Sequence, residues 1–444
     1  MSKILLKNGE IGTIDGLMLA DVLIEDGKIL KVIARVSDEG KAVEADEVID
    51  CRGKVILPGL IDVHVHFREP GASHKEDWKT ASSAAVAGGV TTVLDMPNNT
   101  PGIVDAASLS AKRELIAGRS FCNYGLYLGF NGSNVEEINA SDVPAVKFYA
   151  CDSTGDMGVV EHEDVEKFFR MCKKLIVVHA EDHDVIEANK ALVLAEYEGR
   201  EIPASVHSKI RPVEAACKAV ERVCELALTF GRRVHIAHVS TEKELAIIKK
   251  YKLKGAKLTC EVAPHHLMLS EDDYGTLGNF MRVNPPIRSR GDVFAMWKGL
   301  KFGEIDLIAT DHAPHTIEEK SLDYLHAPSG VPELDTLLPC LLNAVDAEGL
   351  TIEEVVRFCC EKPAEIFGLR GKGRIEEGFD ADLVVVDMEL SREVKRENLF
   401  TKCGWSPYEK SVFKGWPVMT FVGGELVFKD GEIVGEAVGQ EVQV

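Results

Sequence analysis

The chain lacks any apolar run approaching the roughly 18 residues that a membrane-spanning helix needs. Met1 to Leu30 is interrupted by Asp, Glu and Gly, which no signal peptide tolerates, so a cytoplasmic location is expected. Positive charge is also short: 51 Lys and Arg stand against 72 Asp and Glu, a formal net charge of −21. That excess argues against nucleic acid and anionic membrane surfaces as partners, although a single pocket can still be locally cationic. No Cys-x-x-Cys pair occurs. The eleven cysteines are odd in number and scattered through apolar segments, so they are expected to be free buried thiols in a reducing compartment, with no metal assigned to them. A Gly-rich phosphate loop is absent too, which counts against an open, doubly wound nucleotide-binding sheet.

What is present is length and a change of pattern along the chain. At 444 residues the chain exceeds one ordinary domain, which suggests a large catalytic unit with something smaller attached. Residues 1–58 read as short strands with a hairpin turn at Glu25-Asp26-Gly27. Similar material returns in Ala381 to Asp387 and in Val418 to Val434, where Lys429-Asp430-Gly431 repeats the turn chemistry. Residues 1–58 and 369–444 are therefore expected to share one small β-sandwich, with Gly368 to Gly373 as the linker back.

Between these ends strands alternate with amphipathic helical stretches such as Val165 to Lys174, Arg211 to Phe230 and Thr241 to Tyr251. The strands are expected at Leu60–His66, Val90–Met96, Phe121–Leu128, Ala145–Ala150, Leu175–Ala180, Arg233–Val239, Lys257–Val262 and Ile305–Thr310. Eight such units over residues 59–368 predict an α/β fold, a TIM-like (β/α)8 barrel.

That architecture places catalytic groups at the C-terminal tips of its strands, and the polar residues collect there. Val55 to His66 is an apolar, β-branched run whose polar residues gather at its end, the pattern of a buried parallel strand opening onto a site. Side chains repeat every two residues along a strand, so His64 and His66 point the same way, a spacing suited to one metal ion. Lys147 lies on the fourth strand, His179 and His238 end the fifth and sixth, and Asp311 follows the eighth. Each has a bland explanation as a core histidine, an edge lysine or a helix cap, but all six at strand tips together make that explanation improbable.

Several motifs carry a resemblance: Asp62-Val63-His64-Val65-His66-Phe67-Arg68-Glu69-Pro70-Gly71, Asp95-Met96-Pro97-Asn98, Lys147 with Ser153-Thr154-Gly155-Asp156, and His179-Ala180-Glu181. They continue with His238-Val239-Ser240-Thr241, Pro264-His265-His266-Leu267, Asn284-Pro285-Pro286-Ile287-Arg288 and Asp311-His312-Ala313-Pro314-His315. In order across the whole barrel, the chain resembles the cyclic amidohydrolases, and most closely the dihydroorotase family among them. The resemblance implies two Zn2+ per chain, with His64, His66 and Asp311 on one ion and His179 and His238 on the other. Lys147 would bridge them as an N6-carboxylysine, formed by CO2 addition, together with a hydroxide. Such a carbamate makes physical sense, because an ammonium cannot bind a metal whereas two carbamate oxygens can hold two cations. Some relatives bridge the metals through an Asp after the fourth strand, so Asp152 and Asp156 stay open as alternatives.

The resemblance further implies reversible interconversion of N-carbamoyl-L-aspartate and L-dihydroorotate in pyrimidine synthesis, with Asp311 carrying the proton. Arg68, Asn98 and His315 would hold the substrate carboxylate, and Asn284 would touch the ring. Arg68 is the discriminating residue, since a guanidinium fork matches a carboxylate and a neutral hydantoin or allantoin needs no such partner. Its bland alternative is an ion pair with Glu69 or Glu76. The competing functions are a hydantoinase, dihydropyrimidinase or allantoinase, and a catalytically silent scaffold relative. A homo-oligomer is implied, and association with an aspartate transcarbamoylase is left open.

Overall fold

The computed structural model describes residues 3–35, 43–151, 162–347 and 349–444. The apolar run from Val55 to His66 divides between two sheets. Val55–Pro58 pairs with Ile4–Thr13 and Leu383–Glu393, whereas Leu60–Val65 opens the barrel. Gly59 is the joint. Its N–H donates to the Asp382 carbonyl at 2.8 Å, and a Cβ there would lie 2.1 Å from the Thr91 hydroxyl, closer than any side chain could tolerate.

The barrel strands among the described residues are Leu60–Val65, Val90–Asp95, Asn123–Leu126, Ala145–Tyr149, Leu175–His179, Arg233–Ile236, Lys257–Val262 and Leu307–Ile308. All their ladders are parallel. The third strand breaks at Tyr127 and resumes as Leu128–Gly129, which pairs with the fourth. The Tyr127 hydroxyl donates to the Val63 carbonyl at 2.7 Å, so the break carries a bond to the first strand. Parity within the strands then sorts the side chains. Ala145, Leu175 and Val177 pack into the barrel interior with Ile61 and Val63. Val146, Phe148, Ile176 and Val178 pack outward with the helices. Lys147 and Tyr149 share the parity of Ala145 and therefore face inward.

The seam between the eighth and first strands closes through few groups. His66 N–H donates to the His312 carbonyl at 2.8 Å, and Val65 and His312 form an isolated parallel bridge. Beneath them the buried Asp62 carboxylate accepts from His64 N–H and Thr310 N–H, each at 3.1 Å, and from the Thr310 hydroxyl at 2.5 Å.

The chain ends build one continuous sheet in the order Glu432–Ile433, Glu425–Lys429, Val412–Val422, Leu383–Glu393, Val55–Pro58, Ile4–Thr13, Gly16–Glu25 and Lys28–Ala34, with Glu47–Asp50 also beside Ile4–Thr13. Both expected hairpin turns take the left-handed backbone that a two-residue turn requires, with φ of 50° and 77° at Asp26 and Gly27 and 49° and 95° at Asp430 and Gly431. Residues 394–411 leave this sheet and cover the barrel rim. There Trp405 and Tyr408 pack with Leu269, Met281 and Val331, and Trp405 Nε1 donates to the His315 carbonyl at 2.7 Å.

All eleven cysteines are free, and only Cys217 is not fully buried. Among the described residues, no helix is long and apolar enough to cross a membrane.

The seam generates a stability prediction. Asp62→Ala strands two buried N–H groups at about 1–3 kcal/mol each and should lower the thermal unfolding midpoint clearly. Asp62→Asn keeps an accepting oxygen and should lower it much less. Equal midpoints in calorimetry would show that closure does not depend on this carboxylate.

Candidate metal centre

The inward-facing strand tips bring His64, His66, Lys147, His179, His238 and Asp311 to one cavity, which Arg68, Asn98, Tyr149, Asn284, Ala313, Ser329 and Gly330 also line. The first strand does not stay regular up to its tip. Its pairing with Val90–Asp95 shifts register between Asp62 and Val65, and beyond that shift His64 and His66 both reach Asp311. Their Nε2 atoms lie 3.2 and 2.9 Å from Asp311 Oδ1. His238, Asp311 and Arg68 hold left-handed φ values of 33°, 51° and 62°. Such backbone costs about 1–3 kcal/mol per residue and gathers where function demands it.

Carboxylates behind the histidines set which nitrogen faces the cavity. The His64 Nδ1 is in close contact with the Glu261 carboxylate, which also accepts from His235 Nε2 at 2.9 Å and from His238 N–H at 3.3 Å. Burial works to raise the Glu261 pKa, but His64 and His235 hold it well below the usual carboxylate range. With its proton held on Nδ1, His64 presents an Nε2 lone pair to Asp311 and to Lys147, whose Nζ lies 3.4 Å away. His66 behaves alike, with Nδ1 against Asn98 Oδ1 at 2.7 Å. On the opposite side His179 Nε2 donates to Glu181 at 3.0 Å, and the Arg211 fork balances that carboxylate at 2.7 and 3.0 Å. This leaves His179 Nδ1 3.0 Å from His238 Nε2.

The remaining expected residues divide. Arg68 is buried; its Nε donates to the Pro314 carbonyl at 3.1 Å and its Nη2 lies 3.1 Å from His315 Nε2. Neither alternative partner takes it: Glu69 pairs with Arg119, and Glu76 accepts from Thr80, Thr401 and Lys402. His315 is buried beside Gly330, which lines the cavity. Its ring adjoins Arg68 and lies between Lys75 Nζ and the Ser329 carbonyl, each at 3.0 Å, so it braces the guanidinium at the cavity edge. Asn284 lines the cavity, with Oδ1 2.9 Å from His207 Nε2. Asp152 and Asp156 lie outside the described residues. Sequence reasoning missed Glu261, a lone carboxylate in an apolar strand, and Tyr149, which the parity of Lys147 would have found.

The match to known proteins covers most of the chain. The model of the Amidohydrolase family matches residues 55–427. The chain is similar to a dihydroorotase of Methanosarcina mazei, 37% identical over 98% of this chain and 96% of that one. It is also similar to one of Halobacterium salinarum, 38% identical over 96% and 99%. The chain belongs to the amidohydrolase family. Among solved structures, an L-hydantoinase (dihydropyrimidinase) from Arthrobacter aurescens superposes with a TM-score of 0.94 at 30% identity, covering all of both chains. A D-hydantoinase structure gives 0.90 at 25% identity, covering 98% of each chain.

Amidohydrolases are generally metal-dependent, and this donor set fits a cation by its own chemistry. An Nε2 lone pair facing a carboxylate is repulsive unless a proton or a cation lies between them. Burial pushes His66 down to about 4, so near neutral pH no second proton is available to it. Burial likewise brings Lys147 down to about 8, which leaves more neutral amine to react with CO2. His238 Nδ1 is buried without a hydrogen-bond partner among the described residues. Ligand atoms of His64, His238 and Asp311 lie within 4.8 Å of one another.

Carboxylates that orient ligating histidines are typically worth 10–100-fold in metal affinity. In this amidohydrolase Glu261→Gln should therefore weaken metal binding by about that factor, read by competition with a chelator. Unchanged affinity would remove Glu261 from the centre.

Proposed function

We propose that this protein is a dihydroorotase that opens L-dihydroorotate to N-carbamoyl-L-aspartate and closes it again in pyrimidine synthesis. The observation that carries the reading is Arg68, a buried guanidinium in the cavity wall with no carboxylate within ion-pair distance among the described residues. A buried cation without a counterion calls for one, and a substrate carboxylate supplies it in bidentate geometry. Neutral hydantoins lack that group, so the hydantoinase reading, favoured by the structural neighbours, leaves Arg68 without a purpose. The sequence relatives named dihydroorotase support the same choice.

In this reading residues 59–368 catalyse and residues 1–58 with 369–444 form the supporting sandwich. His64, His66 and Asp311 would hold one Zn2+ and His179 and His238 a second, with Lys147 carboxylated between them. The two ions would supply water of lowered pKa and a polarised ring carbonyl. Asp311 accepts the proton that the attacking water releases as its oxygen bonds to the ring carbonyl carbon, and returns it to the ring nitrogen as the C–N bond breaks. The Tyr149 hydroxyl, buried without a partner among the described residues, donates to the substrate carbonyl. Arg68, Asn98 and His315 hold the carboxylate, with His315 also bracing the guanidinium and Asn98 also orienting His66, and Asn284 meets the ring. Assembly as a homo-oligomer and association with an aspartate transcarbamoylase belong to the same proposal by resemblance alone.

Assays with dihydroorotate, dihydrouracil and allantoin side by side test the reading. Arg68→Met should raise KM for dihydroorotate by roughly 10- to 100-fold, the worth of a charge-assisted hydrogen bond of about 1.5–3 kcal/mol. Metal content and any turnover of uncharged dihydrouracil should change far less. Equal losses on both substrates would mean that Arg68 organises the rim and reads no carboxylate.

Proton traffic through Asp311 gives opposite pH profiles. Hydrolysis needs the ionised carboxylate and should rise with pH, whereas ring closure needs the protonated form and should fall. Asp311→Asn should lose on the order of 10²-fold or more in both directions. Near-normal rates in that variant would exclude it as the proton carrier.

A further inference from the structure

Beyond the cavity-lining Gly330 stand two more cations, the buried Lys320 and the half-buried Arg282, and among the described residues neither has a counterion. Lys320 ends the helix Ile317–Lys320 and is 1% exposed. Its Nζ donates to the carbonyls of Arg282, Pro328 and Gly330 at 3.1, 3.0 and 3.0 Å. Three acceptors at that range call for three N–H groups, so the side chain is the ammonium. Arg282 is half-buried and is treated in the same way. Its Nη1 donates to the Ala327 carbonyl at 2.6 Å and to the Tyr324 carbonyl, and its guanidinium carbon lies 4.3 Å from the centre of the Tyr324 ring. The nearby Glu319 carboxylate pairs instead with Lys75 at 3.0 Å. Among the described residues no carboxylate comes within ion-pair distance of Lys320 or Arg282.

Backbone carbonyls solvate a cation without cancelling its charge, so the field of the buried Lys320 persists unscreened and that of the half-buried Arg282 is screened only in part. They act at the substrate cavity. Lys320 holds the carbonyl of Gly330, and Gly330 and Ser329 line the cavity beside Arg68. Burial, Arg282 and Arg68 push the Lys320 pKa well down, and the three carbonyl acceptors, which only three N–H groups can fill, oppose that push and favour the charged form.

We infer that Lys320 and Arg282 are specificity-determining residues which, without touching substrate, favour a carboxylate-bearing ring over an uncharged one by the charge they place behind Arg68. The inference deepens the dihydroorotase reading and rests on it. It also accounts for how a chain of net charge −21 admits an anion, since its surface charges are screened beyond a Debye length of about 8–10 Å while the buried Lys320 is not and the half-buried Arg282 is screened only in part.

The experiment measures KM and kcat for dihydroorotate in wild type, Lys320→Met, Arg282→Met and Arg282→Lys. Dihydrouracil serves as the uncharged comparator, read as KM or, where it is not turned over, as an inhibition constant. Loss of either charge should raise KM for dihydroorotate about tenfold, with kcat, metal content and the dihydrouracil constant held within about twofold. Arg282→Lys, which keeps the charge and loses the fork, should stay within about threefold of wild type. If Lys320→Met does not fold, the two Arg282 variants decide the matter. Equal losses on both ligands, or Arg282→Lys behaving like Arg282→Met, overturn the inference. Wild type without any dihydroorotate turnover would instead overturn the reading on which it rests.

Discussion

The seam between the last and first barrel strands is the constraint on which the rest of the molecule depends. The eighth strand offers only Leu307–Ile308 to a regular ladder, so closure passes to the Asp62 carboxylate and to the bond from His66 to His312. Those groups stand next in sequence to His64, His66 and Asp311. Closing the barrel and assembling one half of the metal centre are therefore the same event, and the left-handed backbone at Asp311 is held in place by what it completes.

Charge is sorted across the cavity with the same economy. Carboxylates stand behind the histidines at one end, where Glu261 and Glu181 keep protons on the outer nitrogens and turn lone pairs inward. At the other end cations stand behind Arg68, held by carbonyls. One wall is thus prepared for cations and the other for an anion. This polarity suits a substrate whose scissile amide and carboxylate lie at opposite sides of one small ring. It also separates what the structural neighbours share with this chain, the fold, from what a charged substrate requires in addition.

Much of this was legible in the sequence because it is local. Alternation along Ala145 to Tyr149 turns Lys147 inward, and Asp-Gly pairs mark both hairpins of the chain-end sheet. Polar residues at the tips of apolar strands mark one rim. Legibility failed where a local rule met a tertiary demand. The run from Val55 to His66 looks continuous, yet Gly59 passes it from one sheet to the other because Thr91 leaves no room for a side chain. The motif marks His315, but only packing shows that its ring also adjoins Arg68 and Lys75.

The sequence by itself determined the parallel barrel, the shared sheet of the chain ends and the strand tips that carry chemistry, since period, parity and turn preference act over a few residues. Only the tertiary structure decided which groups stand behind those tips. Glu261 meets His64 across 197 positions of chain, and Thr310 meets Asp62 across 248. Lys320 finds its three carbonyls at separations of 8, 10 and 38. No local pattern selects such partners. They are chosen by desolvation, because a buried charge or donor must find whatever acceptor the closed fold brings within reach.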